Sequence, residues 1–527
     1  MRLSRRKALG TLTAGIVSLS GCNSADDTDD GDGSSSIDER DGDGGEDPVD
    51  DDGGGAPAAD DEVAGFDAEG YGIEFDRVVN AVDDLGMDPT GEEPIDDALD
   101  DAIETGTRIE FPPGDYTVTE EPPTKPARST SRLGLVGLGE SQRDVQFHFP
   151  TAGEREDGFW FVNQAGGEDV LLANFSIQLS DDLETSVSIR LDTNDNGIAE
   201  DLEWLGFIPA QIQSKGSLLR MNVSSRNGAT TDGVNVVRRV TMGRQGSYMG
   251  GHAADTGTTP GSTFMRHTPN HVGELRLEDV HFEQCGHNAV RSMNNPGVVT
   301  VKGGYFLNCD VSTLRFQGGG HPTKTSLIEG VHIEQDHSKL NRTAGTEPHE
   351  AMGILVDSYE GHSGLVIRDC DIEYKDVSVA TENAGALWGI IRCTNTGASN
   401  PGGFTVENCR IRNDTRAQTF WIQSTNDGVE GPPGVKLKDL DVTITADRQA
   451  RGSVCAIMDG RDGSSVSNCC IQAPNGNFHG ITVNGCSDVV VEDSNINVNG
   501  FAISMIDSDG DTRNISVNES CDDTTVE

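Results

Sequence analysis

Three observations predict an all-β chain folded as a single-stranded right-handed parallel β-helix, closed at its N-terminal end by a short α-helix. An alternating phrase recurs through the second half of the chain. A second alternating strand follows it at a matching offset each time. A helical pattern and a Pro-Pro-Gly-Asp turn stand just ahead of the first turns.

The phrase reads GLVIRDCDI at 364–372, GFTVENCRI at 403–411, GVKLKDLDV at 434–442, SSVSNCCI at 464–471 and VVVEDSNI at 489–496. Upstream it appears as ELRLEDVHF, VVTVKGGYF and LIEGVHI, ending at Phe282, Phe306 and Ile333. Successive closing apolar residues lie 24, 27, 39, 39, 31, 29 and 25 residues apart, which is a repeat with insertions. Apolar-polar alternation marks strands with one buried face, and the Asp, Asn or Gly that follows marks a turn. A unit of this size cannot bury its apolar face alone, so neighbouring units stack into a solenoid. The second strands are AVRS (289–292), TLRF (313–316), GILVD (353–357), GIIRC (389–393), FWIQ (420–423), AIMD (456–459), GITVN (480–484) and AISMI (502–506). Leucine-rich and propeller repeats would carry Leu-x-x-Leu-x-Leu or Trp-Asp signatures, which this chain lacks.

The chain divides into residues 1–22, 23–65, 66–132 and 133–527. Arg5 and Arg6 precede a short apolar run, Ala8 to Leu19, too short to span a bilayer. This opening resembles a twin-arginine export signal, and Leu19-Ser20-Gly21-Cys22 resembles a lipobox. The resemblance implies cleavage before Cys22, lipidation of Cys22 and attachment to the outside of a membrane. Residues 23–62 hold seventeen acidic residues against one basic residue, Arg40, and read as an extended, self-repelling tether. The whole chain carries a formal net charge of -49, the composition of a protein kept soluble at very high salt, which points to a halophilic host. Such a charge argues against nucleic acid as a partner.

In 66–132, Ile95, Ala98, Leu99, Ala102 and Ile103 recur at helical spacing between Pro94 and Gly106. Strands at Arg108–Phe111 and Tyr116–Val118 then flank the turn. The order of DPTGEEPIDDALDDAIETGTRIEFPPGDYTV resembles the N-terminal segment of the pectate-lyase-like superfamily of β-helix proteins. That resemblance implies the architecture, with a helix covering an open edge. The chemistry stays open, because the superfamily holds lyases, hydrolases, epimerases and proteins without known activity.

Residues 133–242 carry less regular turns and one interruption, DTNDNGIAEDLE, which satisfies D-x-[DN]-x-[DN]-G-x5-E. Asp192, Asn194, Asn196 and Glu203 stand at the ligand positions and Gly197 at the sharp turn, so it resembles an EF-hand or dockerin-type calcium loop. An Asx-rich turn reads equally well. Of the ten cysteines after Cys22, eight recur at strand positions and read as small apolar residues stacked in the core. The adjacent Cys469 and Cys470 cannot both face inward. The lack of C-x-x-C pairs argues against zinc.

Outward positions of the second strand collect chemistry. With Val290, Leu314, Ile354 and Ile422 inward, the outward residues are Arg291, Arg315, Leu355, Trp421 and Gln423, joined by Arg392 if Ile391 and Cys393 face inward. Arginines stacked one turn above another require anions: either neighbouring carboxylates, or a bound uronate or sulfate. Trp421 offers a face for a sugar ring. Most of the histidines read as surface or turn residues. His321 and Lys324, in the loop after Arg315, and Asp357 are the sequence's candidates to complete a site. Proton abstraction beside a uronate carboxylate needs a base and a cation that neutralises that carboxylate. The leading expectation is an exported protein that binds an acidic polysaccharide and cleaves it by β-elimination. The alternatives are a non-catalytic adhesin, and a glycoside hydrolase or uronate epimerase of the same fold. Departures from the family are plain: Trp-Ile-Asp-His and Arg-x-Pro-x-x-Arg of the best-known pectate lyases are absent. A lone Asp232 also falls short of the facing carboxylates that inverting hydrolysis needs.

Overall fold

The computed structural model describes residues 68–120, 129–152, 159–179, 187–206, 217–243, 263–267, 269–340, 351–377, 389–395, 399–415, 417–426, 428–447 and 452–521. The twin-arginine segment, Cys22 and the acidic tether lie outside them. The described chain is a right-handed parallel β-helix with two sheets, one of 26 strands and one of 12. All strand pairs that define the two sheets' registers are parallel, so each coil of chain lies one strand spacing, about 4.8 Å, above the last.

Each coil holds three strands, because the recurrent phrase is itself two strands joined at a corner. In one coil, Leu365–Arg368 leads through Asp369 into Asp371–Asp376, and Ile391–Cys393 follows in the smaller sheet. The corner residue takes a left-handed conformation: φ is 57° at Asp369, 50° at Asn408, 53° at Asp439 and 53° at Asn468. Asp, Asn and Gly tolerate that region best, which is why the phrase carries them there. Each corner N–H donates to the carbonyl just before the corner of the next coil, as from Asp369 to Glu407 (3.2 Å) and from Asn408 to Lys438 (3.0 Å). Asp and Asn alternate over six coils, so Asn408 donates its side-chain amide to Asp369, Asn468 to Asp439 and Asn514 to Asp493.

The residue before the corner alternates in charge and is at least partly exposed in every coil but the first, where Glu200 is buried between Arg238 and Arg239. Glu200, Arg238, Glu278, Lys302, Glu329, Arg368, Glu407 and Lys438 stand in register on successive coils. Opposite charges on adjacent strands attract at each step; Arg238 reaches Glu278 at 2.8 Å and Lys302 stands 3.7 Å from Glu329.

The core fills the tube. Near the N-terminus it is aromatic, with Phe147 packed edge-on against Phe111 and Phe175. The helix α1, Asp96–Ala102, buries Leu99 and Ala102 together with its N-cap Ile95 against this core. No helix among the described residues is long and apolar enough to cross a membrane. Eight cysteines are buried free thiols, as their recurrence predicts. The adjacent pair resolves as expected of neighbours on a strand: Cys469 faces the core, and Cys470 faces out and bonds Cys521.

Candidate functional site

The smaller sheet carries a column of arginines longer than the sequence indicates. Arg190, Arg220, Arg266, Arg291 and Arg315 occupy one register position on five successive strands. The column then continues through Leu355, Arg392 and Trp421. Seven steps of about 4.8 Å make it about 34 Å long. Val290, Leu314, Ile354, Ile391 and Ile422 are fully buried in the core, so Arg291, Arg315 and Arg392, which alternate with them, face outward as the pattern requires. Arg190, Arg220, Arg291 and Trp421 are half-buried, whereas Arg315, Leu355 and Arg392 are more than nine-tenths buried.

Counter-charges come from the next outward row. Asp357 binds Arg315 through Oδ2, at 2.8 Å from Nε and closely from Nη2, while its Oδ1 accepts the Ser399 hydroxyl. Asp192 stands between two arginines, 2.6 Å from Arg190 Nε and 3.3 Å from Arg220 Nη2, and accepts the Asn222 amide at 2.5 Å. Gln423 lies in the same row, its side-chain oxygen accepting the Asn395 N–H at 2.8 Å.

His321 and Lys324 do not join the column. The loop that carries them folds over the larger sheet, where His321 Nε2 lies 2.9 Å from the Thr231 carbonyl and Lys324 Nζ 2.5 Å from Glu274. Of the candidates for a catalytic group, the structure therefore unites Arg315 with Asp357, keeps Arg291 in register beside them, and sends His321 and Lys324 elsewhere.

The residues matching a calcium loop are also separated. Asp192 lies near the end of one strand, Val187–Thr193, and the next, Asp195–Leu205, turns corners at Asn196 (φ 49°) and Asp201 (φ 50°) but runs on along the larger sheet to Glu203 instead of closing into a loop. Both Glu203 oxygens are held by Arg143, at 2.6 and 2.7 Å, and Asn196 donates to Asp169. Asn194 Oδ1 alone of the four side chains has a buried oxygen without a partner among the described residues. One free oxygen does not fit an ion that takes six to eight, so the four residues do not form a shared calcium shell.

Two histidines lie inside the coil, which their mixture with loop residues in the sequence hides. His267 and His271 are buried, with rings 5.6 Å apart. Burial, and then its neighbour's charge, push His267 down to about 3; burial pushes His271 down to about 4. His271 accepts from the Val223 N–H through Nδ1 and lies 3.1 Å from the Val298 carbonyl through Nε2, the pattern of a neutral ring. Both folded pKa values lie below the unfolded value near 6.5, so the unfolded chain binds more protons between them and stability is lost as the pH is lowered. The loss is expected to begin below about pH 6.5 and to approach about 1.4 kcal/mol per pH unit for each ring well below it. Denaturant titrations from pH 7 to 5 should show this slope, reduced in His267→Gln; equal slopes would place the proton uptake elsewhere.

No protein-family model matches the chain, and no curated protein matches it by sequence. Solved structures similar to it include the catalytic unit of a thermostable GH87 alpha-1,3-glucanase from Streptomyces thermodiastaticus, 15% identical over 88% of this chain and 72% of that one, TM-score 0.30. PfbA, a surface adhesin of Streptococcus pneumoniae, is 10% identical over 84% and 91%, TM-score 0.37. A family 28 exopolygalacturonase of Yersinia enterocolitica is 12% identical over 84% and 78%, TM-score 0.30. The fold itself rests on the chain's own strand pairing, parallel throughout both sheets: it is a right-handed parallel β-helix.

Proposed function

We propose that this chain binds an acidic polysaccharide along the arginine column, as an exported protein held to the membrane by a lipid on Cys22. The observation that carries this reading is the contrast between the two outer faces. On the larger sheet the row before the corner alternates in sign, so the protein neutralises itself coil by coil. On the smaller sheet the same spacing repeats one sign over five coils. Like charges on adjacent strands repel, and Asp192 and Asp357 offset that repulsion for Arg190, Arg220 and Arg315 while leaving the row itself of one sign. A chain of net charge -49 repels a polyanion at long range, so the attraction has to be local, desolvated and bidentate, which guanidinium groups provide. A polymer with anionic groups at regular intervals matches such a column, and Trp421 at its end gives a face for a sugar ring.

Binding is the part of the expectation that the geometry supports best. Asp357 is engaged by Arg315, and His321 and Lys324 lie over the other sheet, so none of these three stands ready as a base beside the column. Retarded migration in gels containing pectate or alginate, with none in neutral dextran, is the expected result. Arg220→Ala and Arg291→Ala should each weaken it about tenfold, about 1.4 kcal/mol, while the distant Arg410→Ala should not. Equal migration of all these proteins in the acidic and neutral gels would end the reading. Ultraviolet absorbance of the same mixtures tests elimination, because cleavage leaves an unsaturated sugar.

A further inference from the structure

The loop that takes His321 and Lys324 away from the column builds something in their new place. It joins Ser312–Phe316 of the smaller sheet to Leu327–Glu329 of the larger one, and with the outer face of the larger sheet it borders an open cavity of about 630 Å³. The floor is a strip of Thr300, Leu327 and Val366, in register on three coils and half-buried. Arg276, Lys302, Lys324 and Arg368 surround it, against the carboxylates Glu274 and Glu278. With Glu329, which pairs with Lys302 and Arg368 from beside the lining, the four cations meet three carboxylates, an excess of one positive charge on a chain of net charge -49.

The cations are not equivalent. Arg276 and Lys324 both hold Glu274, at 2.8 and 2.5 Å. Burial raises the pKa of that carboxyl, but the hydrogen bonds from Arg276 and Lys324 outweigh burial and leave it at about 2. The ionised Glu274 therefore pins the loop over the cavity. Arg368 binds Glu329 directly. Lys302, in contrast, stands 3.7 Å from Glu329, beyond hydrogen-bond length, and its side chain is 56% exposed. Lys302 is thus the most loosely paired and most exposed of the lining cations, beside a concave site with a largely apolar floor, while its neighbours are held by direct hydrogen bonds.

We propose that this cavity is a second ligand site, separate from the arginine column, that takes one anionic pyranose unit. The carbon-hydrogen face of the ring would lie on Leu327 and Val366, and its carboxylate or sulfate would meet Lys302. An apolar floor with a few converging polar groups is the usual composition of a small-molecule site. The floor discriminates against free inorganic anions, which have nothing to bury there, and Lys302 discriminates against neutral sugars.

Calorimetry with digalacturonate, a probe too short to bridge the two faces, tests this, with maltose as the neutral control. The parent should bind two equivalents. Lys302→Gln and Thr300→Trp, which fills the floor, should each bind one; Arg291→Ala should also lose one, but not the same one, so Arg291→Ala with Lys302→Gln should bind none. Thermal midpoints near the parent's establish that the variants fold, and two chemically different substitutions guard against the loss of either. Stoichiometry unchanged by Lys302→Gln and Thr300→Trp would overturn the second site and leave the column reading intact. One equivalent in the parent, lost in Lys302→Gln but kept in Arg291→Ala, would support the cavity and sink the column. Equal binding of maltose would overturn the anionic class.

Discussion

Arg461→Met, just after the second strand of its coil, is expected to destabilise the protein by about 3–5 kcal/mol. The side chain is fully buried. Its Nε donates to the Gln423 carbonyl at 3.0 Å, and Nη1 lies 3.0–3.2 Å from the carbonyls of Pro401, Gly402 and Pro433. Nη2 meets Cys393 Sγ at 3.0 Å. These groups belong to the turns of successive coils, so one guanidinium staples them together. Methionine has a similar volume and leaves several buried carbonyls without donors, each costing about 1–3 kcal/mol before relaxation. Arg461→Lys, with one ammonium in place of a planar fork, should fall between the two. Denaturant midpoints measure the series. A Met variant that unfolds with the parent would mean that water already satisfies these carbonyls and that the staple contributes nothing.

The second large effect concerns Arg315 and Asp357. Their side chains are 10% and 1% exposed, and they bond each other at the centre of the column. Asp357→Ala should cost about 3–5 kcal/mol, because it strands a buried guanidinium without its counter-charge. Arg315→Leu should cost a similar amount by stranding the carboxylate. The double variant, Arg315→Leu with Asp357→Leu, should recover most of the loss, since a buried ion pair is often no more stable than an apolar replacement of like volume. The three stabilities form a double-mutant cycle. Additive losses would mean that the two charges are screened from each other by solvent, and the column would then be open at its centre. If Arg315 also helps to hold the polymer, the double variant should stay folded yet bind more weakly than the parent, which separates support of the fold from recognition.

The column also shows where sequence reading stops. Arg291, Arg315, Arg392 and Trp421 are legible because their strands follow the recurrent phrase at a constant offset. Arg190, Arg220 and Arg266 belong to the same row, in the segments Ile189-Arg190-Leu191, Leu219-Arg220-Met221 and Met265-Arg266-His267. An arginine immediately after an inward apolar residue is the signal they share with Val290-Arg291, Leu314-Arg315 and Ile391-Arg392. It goes unread because the phrase that would index those upstream coils is degraded there. The alternating Asp and Asn of the corners are visible one by one, but become a hydrogen-bonded ladder only once the coils stack.

Calcium-loop spacing, by contrast, was a coincidence of two strands. The ligand pattern assumes a loop that closes around Gly197, whereas the chain turns at Asn196 and again at Asp201 and pairs with the coils on either side between and beyond those corners, which carries Glu203 away along the sheet. His321 and Lys324 went astray for a related reason. A loop's length is written in the sequence, but the face it covers depends on what receives it, here the Thr231 carbonyl and Glu274.

By itself the sequence determined the solenoid, its inward and outward faces, the helix that closes the first coils and the burial of the recurring cysteines. All of these follow from local periodicity, because a strand's two faces alternate whatever lies beside it. The tertiary structure alone decided which arginines share a column, which carboxylates reach them, and that Arg461 is a buried staple rather than a surface charge. Those facts depend on register between coils separated by insertions of differing length, and register is set only when neighbouring coils exchange backbone hydrogen bonds and bury their apolar rows together.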